Sequence, residues 1–139
     1  MLCAWFGGSR EGNDDVAIYW ARRHNNLWGE VTLAAKVENV AHWNPVLFDN
    51  HKGVIFIFFK VGKTIPCWKT YVRYSFDNPL TWSKPEELIK GDDSGGRGPV
   101  KNKPIILSNG SILAPASREE GWEKGWYAFV DISYDSGKT

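Results

Sequence analysis

Ser75-Phe76-Asp77-Asn78-Pro79-Leu80-Thr81-Trp82 and Ser133-Tyr134-Asp135-Ser136-Gly137-Lys138-Thr139 share the frame Ser-x-Asp-x-x-x-Thr, and the second frame starts 58 residues after the first. Each follows an aromatic-rich stretch of strand character. A worn third copy ends at Trp28, 54 residues before Trp82, with Tyr19-Trp20-Ala21-Arg22-Arg23 in the strand and residues 24–27 in the turn. Repeats of about 40–60 residues, each worth roughly four strands, are what propeller blades produce. The hairpins of these repeats fall near residues 22–29, 75–82 and 133–139.

Outward from the frames, short apolar runs recur at residues 2–6, 16–21, 31–37, 46–48, 54–61, 70–75, 105–107, 111–114 and 126–133, bounded by Gly, Pro, Asn or Asp. This pattern predicts an all-β chain of hairpins. Val54-Ile55-Phe56-Ile57-Phe58-Phe59 is apolar on both faces, which predicts a strand covered on two sides and therefore stacked sheets. Asn109-Gly110 predicts a hairpin, because that dipeptide tolerates the positive φ angles of a tight turn. Residues 49–53 predict a looser one. The only helical candidate is one turn at residues 85–89, and residues 90–102 form a polar, glycine-rich loop long enough to suggest function.

Composition agrees with this class. Eight Trp, seven Phe and five Tyr stand beside 14 Gly and seven Pro in 139 residues, and such a mixture favours pleated surfaces punctuated by turns. With 17 Lys and Arg against 16 Asp and Glu the net charge is +1, so a basic-patch partner such as nucleic acid or an acidic membrane is not expected. Six consecutive apolar residues, 54–59, fall far short of the roughly 18 needed to cross a bilayer, and residues 1–10 do not form an export signal. Cys3 and Cys67 specify neither a disulfide scaffold nor a zinc site and are read as buried thiols. His24, His42 and His51 lack metal-ligand spacing, and phosphate-loop and Gly-x-Ser-x-Gly motifs are missing, so no metal, cofactor or nucleotide is expected.

The frame Ser-x-Asp-x-Gly-x-Thr-Trp resembles the Asp-box, or BNR repeat, of the sialidase (neuraminidase) superfamily, with Pro79 at the glycine position of the first copy. Four further motifs resemble its branch of predicted neuraminidases. They are residues 4–12 (Ala-Trp-Phe-Gly-Gly-Ser-Arg-Glu-Gly) followed by Asp15, residues 42–48 (His-Trp-Asn-Pro-Val-Leu-Phe), residues 98–104 (Gly-Pro-Val-Lys-Asn-Lys-Pro) and residues 113–119 (Leu-Ala-Pro-Ala-Ser-Arg-Glu). The resemblance implies a β-propeller of the sialidase type. In the repeat itself Asp and Ser bond turn backbone and Trp packs beneath the hairpin, so Asp77 and Asp135 are read as structural.

The resemblance also implies chemistry: an Asp general acid/base, a Tyr nucleophile polarised by a Glu, and arginines that grip the carboxylate of sialic acid. By its place Asp15 resembles the acid/base, with Asp14 as neighbouring alternative and a solvated turn as the plain reading. Glu11 is a second cleft carboxylate or the ion-pair partner of Arg10, itself a candidate substrate contact. Arg22 projects toward the propeller axis or forms a surface ion pair. Arg97, with Lys101 and Lys103, makes a cationic cluster suited to an acidic sugar, its glycines allowing close approach to a ligand, unless the run is only a solvated face. Asn102 shares these alternatives. His42 is a proton carrier, a substrate donor or a satisfied loop residue. Trp43 reads as core, and Asn44 as a hydroxyl contact or a turn former. Glu119 resembles a blade-end glutamate facing the cleft, with Glu120 turned to solvent.

The second frame stops at Thr139, one residue before its Trp would stand, and residues 1–6 read as the inner part of a strand. At the observed period 139 residues supply two to three four-stranded blades of a six-bladed propeller, spanning residues 1–139 as one partial domain. The expectation is therefore a piece of a larger exo-sialidase-like hydrolase of terminal acidic sugars, inactive alone and able to self-associate through open blade edges. Two alternatives stay open: a lyase or other carbohydrate-active propeller, in which His42 and a Tyr would matter more, and a non-catalytic carbohydrate-binding or assembly module.

Overall fold

In the computed structural model, which describes residues 1–37, 39–120 and 125–137, the chain is built of three antiparallel sheets in succession. The first joins β1 (Leu2–Gly7) to β2 (Ala17–His24), whose other edge carries β3 (Leu27–Trp28) and β4 (Thr32–Ala35). The second is a continuous meander of β5 (His42–Asp49), β6 (Ile55–Val61), β7 (Lys69–Ser75) and β8 (Glu86–Glu87). The third holds β9 (Ile105–Ile106), β10 (Ile112–Glu119) and β11 (Trp126–Ser133).

Strand β6 sits at the centre because its alternation serves two cores at once. Ile57, Phe59 and Val61 pack with Ile18, Ala34 and Ala35 of the first sheet. Phe56 and Phe58, on the opposite face, pack with Val46, Phe48, Val72 and Ile112, the last from the third sheet. The two-sided apolar run thus has the environment its sequence predicts. Lys60 follows on the Phe56–Phe58 face and is buried at 1% exposure, which the sequence reading did not single out.

The first Ser-x-Asp frame is the connection from β7 to β8. The Asp77 carboxylate accepts from the Ser75 hydroxyl at 2.7 Å, the Leu80 and Thr81 amides at 2.8 and 2.9 Å and the Thr81 hydroxyl at 2.7 Å. Asn78 takes the left-handed conformation that closes the turn, with φ +61°. Trp82 then tucks between the first two sheets, edge-on to Trp20 at 6.0 Å. Arg73 seals the same seam: its guanidinium donates to the carbonyls of Ala34, Ser83 and Trp82. The second frame starts alike at the end of β11, where the Ser133 hydroxyl donates to Asp135 at 2.8 Å; Lys138 and Thr139 lie outside the described residues.

These bonds hold the Asp77 carboxyl far below the usual carboxylate range, the Thr81 amide and hydroxyl being the largest cause. A depressed folded pKa contributes stability that is present above the unfolded value near 3.9 and lost as pH falls toward the folded one. Asp77→Asn is therefore expected to flatten the decline of Tm between pH 5 and 2.5, while Asp15 and Glu87, also depressed, keep their share in both proteins. Parallel wild-type and variant profiles would contradict this.

Two local expectations are corrected. Residues 85–89 are not a helical turn: Glu86 and Glu87 pair with Val72 and Tyr71, because the open edge of β7 offers a ladder that a single helical turn cannot match. The short 3-10 turn instead lies at Ile65–Cys67, opened by Pro66. Cys3 and Cys67 are exposed free thiols, since Cys3 stands at an outward position of β1 and Cys67 in that turn. The expected Asn109-Gly110 hairpin forms between β9 and β10 over residues 107–111, with Gly110 at positive φ, +85°, and the Asn109 side chain accepting the Ser111 amide at 3.0 Å. Strand β11 leaves Trp126, Val130 and Ile132 about half exposed, and Leu27, Trp28, Val31 and Leu33 are exposed beside β2.

Candidate functional site

The loop between β1 and β2 is drawn tight because Gly8 lies where any Cβ would meet Val16 backbone at 2.8 Å. Two successive turns, from the Asn13 amide to the Arg10 carbonyl and from the Val16 amide to the Asn13 carbonyl, then present Asp15 to solvent. Its carboxylate accepts from the Ser9 amide at 2.7 Å and the Ser9 hydroxyl at 3.0 Å, and those two bonds hold it below the ordinary Asp range. The Lys36 ammonium fixes the backbone on either side by donating to the carbonyls of Asp14, Val16 and Val40. Asp14, Asp15 and Lys63 line a shallow polar hollow of about 610 Å³; Arg10 and Glu11 are exposed on the same loop.

A second concavity, a groove of about 520 Å³, runs between the second and third sheets. Asn44 reaches it from an irregularity in β5, where the register with β6 shifts and Asn44 adopts φ +45°. Lys101 and Asn102 come from the segment tied to β10 through the Val100 amide and the Pro115 carbonyl, with Lys101 at φ +62°. Glu119 closes one side, half-buried, its carboxylate accepting from the Ser117 hydroxyl at 3.0 Å. Trp68 and Phe129 supply aromatic wall. Trp68 leans on Trp43 at 5.3 Å, and its buried indole N–H has no hydrogen-bond partner among the described residues, a costly state for a donor. Glu120 pairs with Arg118 at 2.6 Å.

The candidates therefore divide. Asn44, Lys101, Asn102 and Glu119 meet in the groove; Asp15, Glu11 and Arg10 share the β1–β2 loop. That loop approaches the start of β5, since a Cβ on Gly12 would stand 3.3 Å from the Trp43 ring. Arg22 lies elsewhere, opposite Leu2 near the end of β2, in a hollow of about 530 Å³ with Lys103, Asn78 and Pro79. Arg97 is committed to Asp131, its Nε donating at 2.8 Å. The glycines around it serve the protein's own packing: a Cβ on Gly96 would fall 2.8 Å from the Ser117 carbonyl oxygen and one on Gly98 2.3 Å from Leu88.

His42 is fully buried, stacked on Phe59 at 5.9 Å. The Val37 amide donates to Nε2 at 2.8 Å, so the proton resides on Nδ1 and is donated to the Val40 carbonyl at 2.8 Å. Burial pushes its pKa down and favours this neutral form. Of the readings left open for it, the satisfied loop residue matches this placement. Sequence reasoning missed Trp68, whose only local signal is an aromatic two residues after Pro66, and Lys36, which reads as an ordinary surface lysine.

Residues 1–139 match the family described as the BNR repeat-like domain. The chain belongs to this family. This BNR repeat-like chain is 32% identical over 87 residues to a sialidase of Clostridium perfringens, an alignment that takes in 52% of the chain and 22% of that protein. The sialidase/BNR-repeat superfamily expected from the Ser-x-Asp frames is thus the one found. A protein of unknown function from Dyadobacter fermentans DSM 18053 superposes on 99% of the chain with TM-score 0.78 at 14% identity, using 48% of its own length. A family 117 glycoside hydrolase produced by the marine bacterium Zobellia galactanivorans superposes on 91% with TM-score 0.66 at 15% identity, using 40% of its length. At these identities the likeness is one of fold. The BNR repeat-like chain spans about a fifth of the curated relative and less than half of either solved structure.

Proposed function

We propose that this chain is part of a carbohydrate-active propeller that binds a glycan in the groove between its second and third sheets and, in the complete protein, hydrolyses a terminal acidic sugar, sialic acid by resemblance. The observation that carries the proposal is the convergence of Asn44, Lys101, Asn102 and Glu119 beside Trp68 and Phe129. Sugar rings present apolar faces to aromatic walls and hydroxyls to amides, and an ammonium suits a sugar carboxylate. Asp15 is assigned the acid/base role, Glu119 and Glu11 the accompanying carboxylates, and Arg10 a substrate contact at the loop. The sialidase of Clostridium perfringens supports the reaction class.

In this proposal residues 1–139 are two to three blades of a six-bladed propeller. Support comes from the three successive antiparallel sheets and from the frames, which fall at the ends of β2, β7 and β11. The apolar faces of β11 and of β3 with β4 are the surfaces through which copies would associate. A second reading, a carbohydrate-binding module without catalysis, is favoured by the low pKa of Asp15, which keeps it ionised. The lyase alternative has no such support, because the His42 ring that would serve it is enclosed.

Calorimetric titration of the chain with sialyllactose and lactose tests the groove. Sialyllactose is expected to bind more tightly, and Lys101→Glu to weaken it at least about tenfold, a change of roughly 1.4 kcal/mol, without weakening lactose equally. Equal affinities for both sugars, unchanged by the substitution, would overturn the acidic-sugar assignment.

A further inference from the structure

Lys60 and Asp131 grip one short stretch of chain from opposite sides. From β6 the buried Lys60 ammonium donates to the Thr70 hydroxyl at 2.6 Å, the Arg97 carbonyl at 2.7 Å and the Gly98 carbonyl at 3.4 Å. Thr70 passes its own proton to the Arg97 carbonyl. From β11 the Asp131 carboxylate receives the Arg97 guanidinium at 2.8 Å and the Gly98 amide at 2.7 Å. Both polar ends of the Arg97–Gly98 stretch are thereby held by ionised side chains, one on each neighbouring sheet. Two residues beyond this grip the chain reaches Val100, Lys101 and Asn102, which form one side of the groove.

We propose that Lys60 and Asp131 are positioning residues for the groove: together they latch residues 97–98 between the second and third sheets and so place Lys101 and Asn102, and the latch loosens when the Lys60 ammonium loses its proton. This rests on the geometry of the groove and not on what the groove binds. Among the described residues two carboxylates act on Lys60, Asp131 from β11 and Asp92 from the segment between β8 and β9, and both favour its charged form. Arg97, the other charged group of the cluster, is already paired with Asp131. Burial outweighs the carboxylates and brings the ammonium down to about 8, close enough to neutrality for the latch to respond to mild alkali.

The local and global consequences have opposite signs. Because the folded pKa lies below the unfolded value of about 10.4, the unfolded chain binds more protons between the two, so global stability from this group rises with pH across that window. The latch instead weakens, since charge-assisted bonds are roughly twice as strong as neutral ones. Lost protection at residues 97–102 above pH 8 is therefore opposite in sign to what Lys60 does to global stability.

The test is NMR on the whole chain between pH 6.5 and 10. The Lys60 ε-methylene and the Gly98 amide are expected to titrate with one shared midpoint near 8. Amide protection at Gly98, corrected for intrinsic exchange, should fall about tenfold from pH 7 to 9. Asp131→Asn should move the Lys60 midpoint down, because it removes the largest favourable charge. Thr70→Val, which keeps the ammonium, should retain the titration with a weaker grip. A Lys60 midpoint above 10, or a Gly98 amide whose protection is flat across that midpoint, would overturn the proposal.

Discussion

Replacing Phe59 by alanine is expected to remove about 3–5 kcal/mol of folding stability, the range for emptying a closed aromatic site, against a typical total of 5–15 kcal/mol for a domain. The ring is fully buried and lies between two partners, stacked on His42 at 5.9 Å and on Tyr71 at 5.9 Å. Its neighbours Ile18, Ala34 and Ala35 belong to the first sheet, so the cavity would open in the seam that joins the first two sheets. Strand β7 pairs with β6 along its whole length, and β5 pairs with it on either side of the irregularity opposite Phe59, which leaves that seam little freedom to collapse. A control is Phe76→Ala: that ring is 72% exposed and its loss should change stability by no more than about 0.5 kcal/mol. Denaturant midpoints of the three proteins decide the matter. A Phe59→Ala loss below about 1 kcal/mol would mean that the seam is not the closed core described here.

How much of this was legible beforehand depends on whether the signal is local. The all-β class, the two-sided strand 54–61 and the turn chemistry of residues 75–82 were readable, because alternation, β-branching and Ser/Asp side chains act over a few residues. Glu86 and Glu87 were misread because their strand exists only by courtesy of the β7 edge, and neither residue has strand propensity of its own. Arg97 looked like a free cation in a glycine-rich loop; its carboxylate partner, Asp131, lies 34 residues further on. Lys60 was hidden for the opposite reason. A lysine ending an apolar run reads as a strand end reaching water, whereas here carbonyl oxygens of a distant loop fold back over it.

The groove shows the same limit. Asn44, Lys101, Asn102 and Glu119 each stand in a resembled motif and Arg22 in the worn repeat, but nothing in the sequence says that the four share a groove while Arg22 stands in another hollow. What unites the four is the approach of two sheets, set by Phe58, Val72 and Ile112, none of which belongs to a motif. Conversely, His42 stood in a resembled motif and proved to be enclosed by the Val37 and Val40 backbone. Motif membership located the segments; burial and hydrogen bonding decide what each side chain can touch.

On the acid/base role proposed for Asp15, Asp15→Asn in the complete protein is expected to lower turnover of natural glycosides by about 10²–10⁴-fold, the usual contribution of a positioned acid, while sparing aryl glycosides with good leaving groups. The asymmetry follows from the role: a poor leaving oxygen needs a proton in the transition state and a good one does not. The geometry adds a condition on pH. The Ser9 amide and hydroxyl stabilise the Asp15 anion, and Lys36 adds a smaller pull in the same direction, so at neutral pH the free protein carries this group ionised. An acid with a depressed pKa loses its proton as pH rises through that low value, and kcat/KM on natural glycosides should therefore be highest in acid and decline toward neutrality. Ser9→Ala, which removes the hydroxyl bond, lets the Asp15 pKa return toward the ordinary range and should shift that decline to higher pH. Equal losses on both substrate classes, or a profile that Ser9→Ala leaves in place, would take the acid role from Asp15 and leave the carbohydrate-binding reading in its stead.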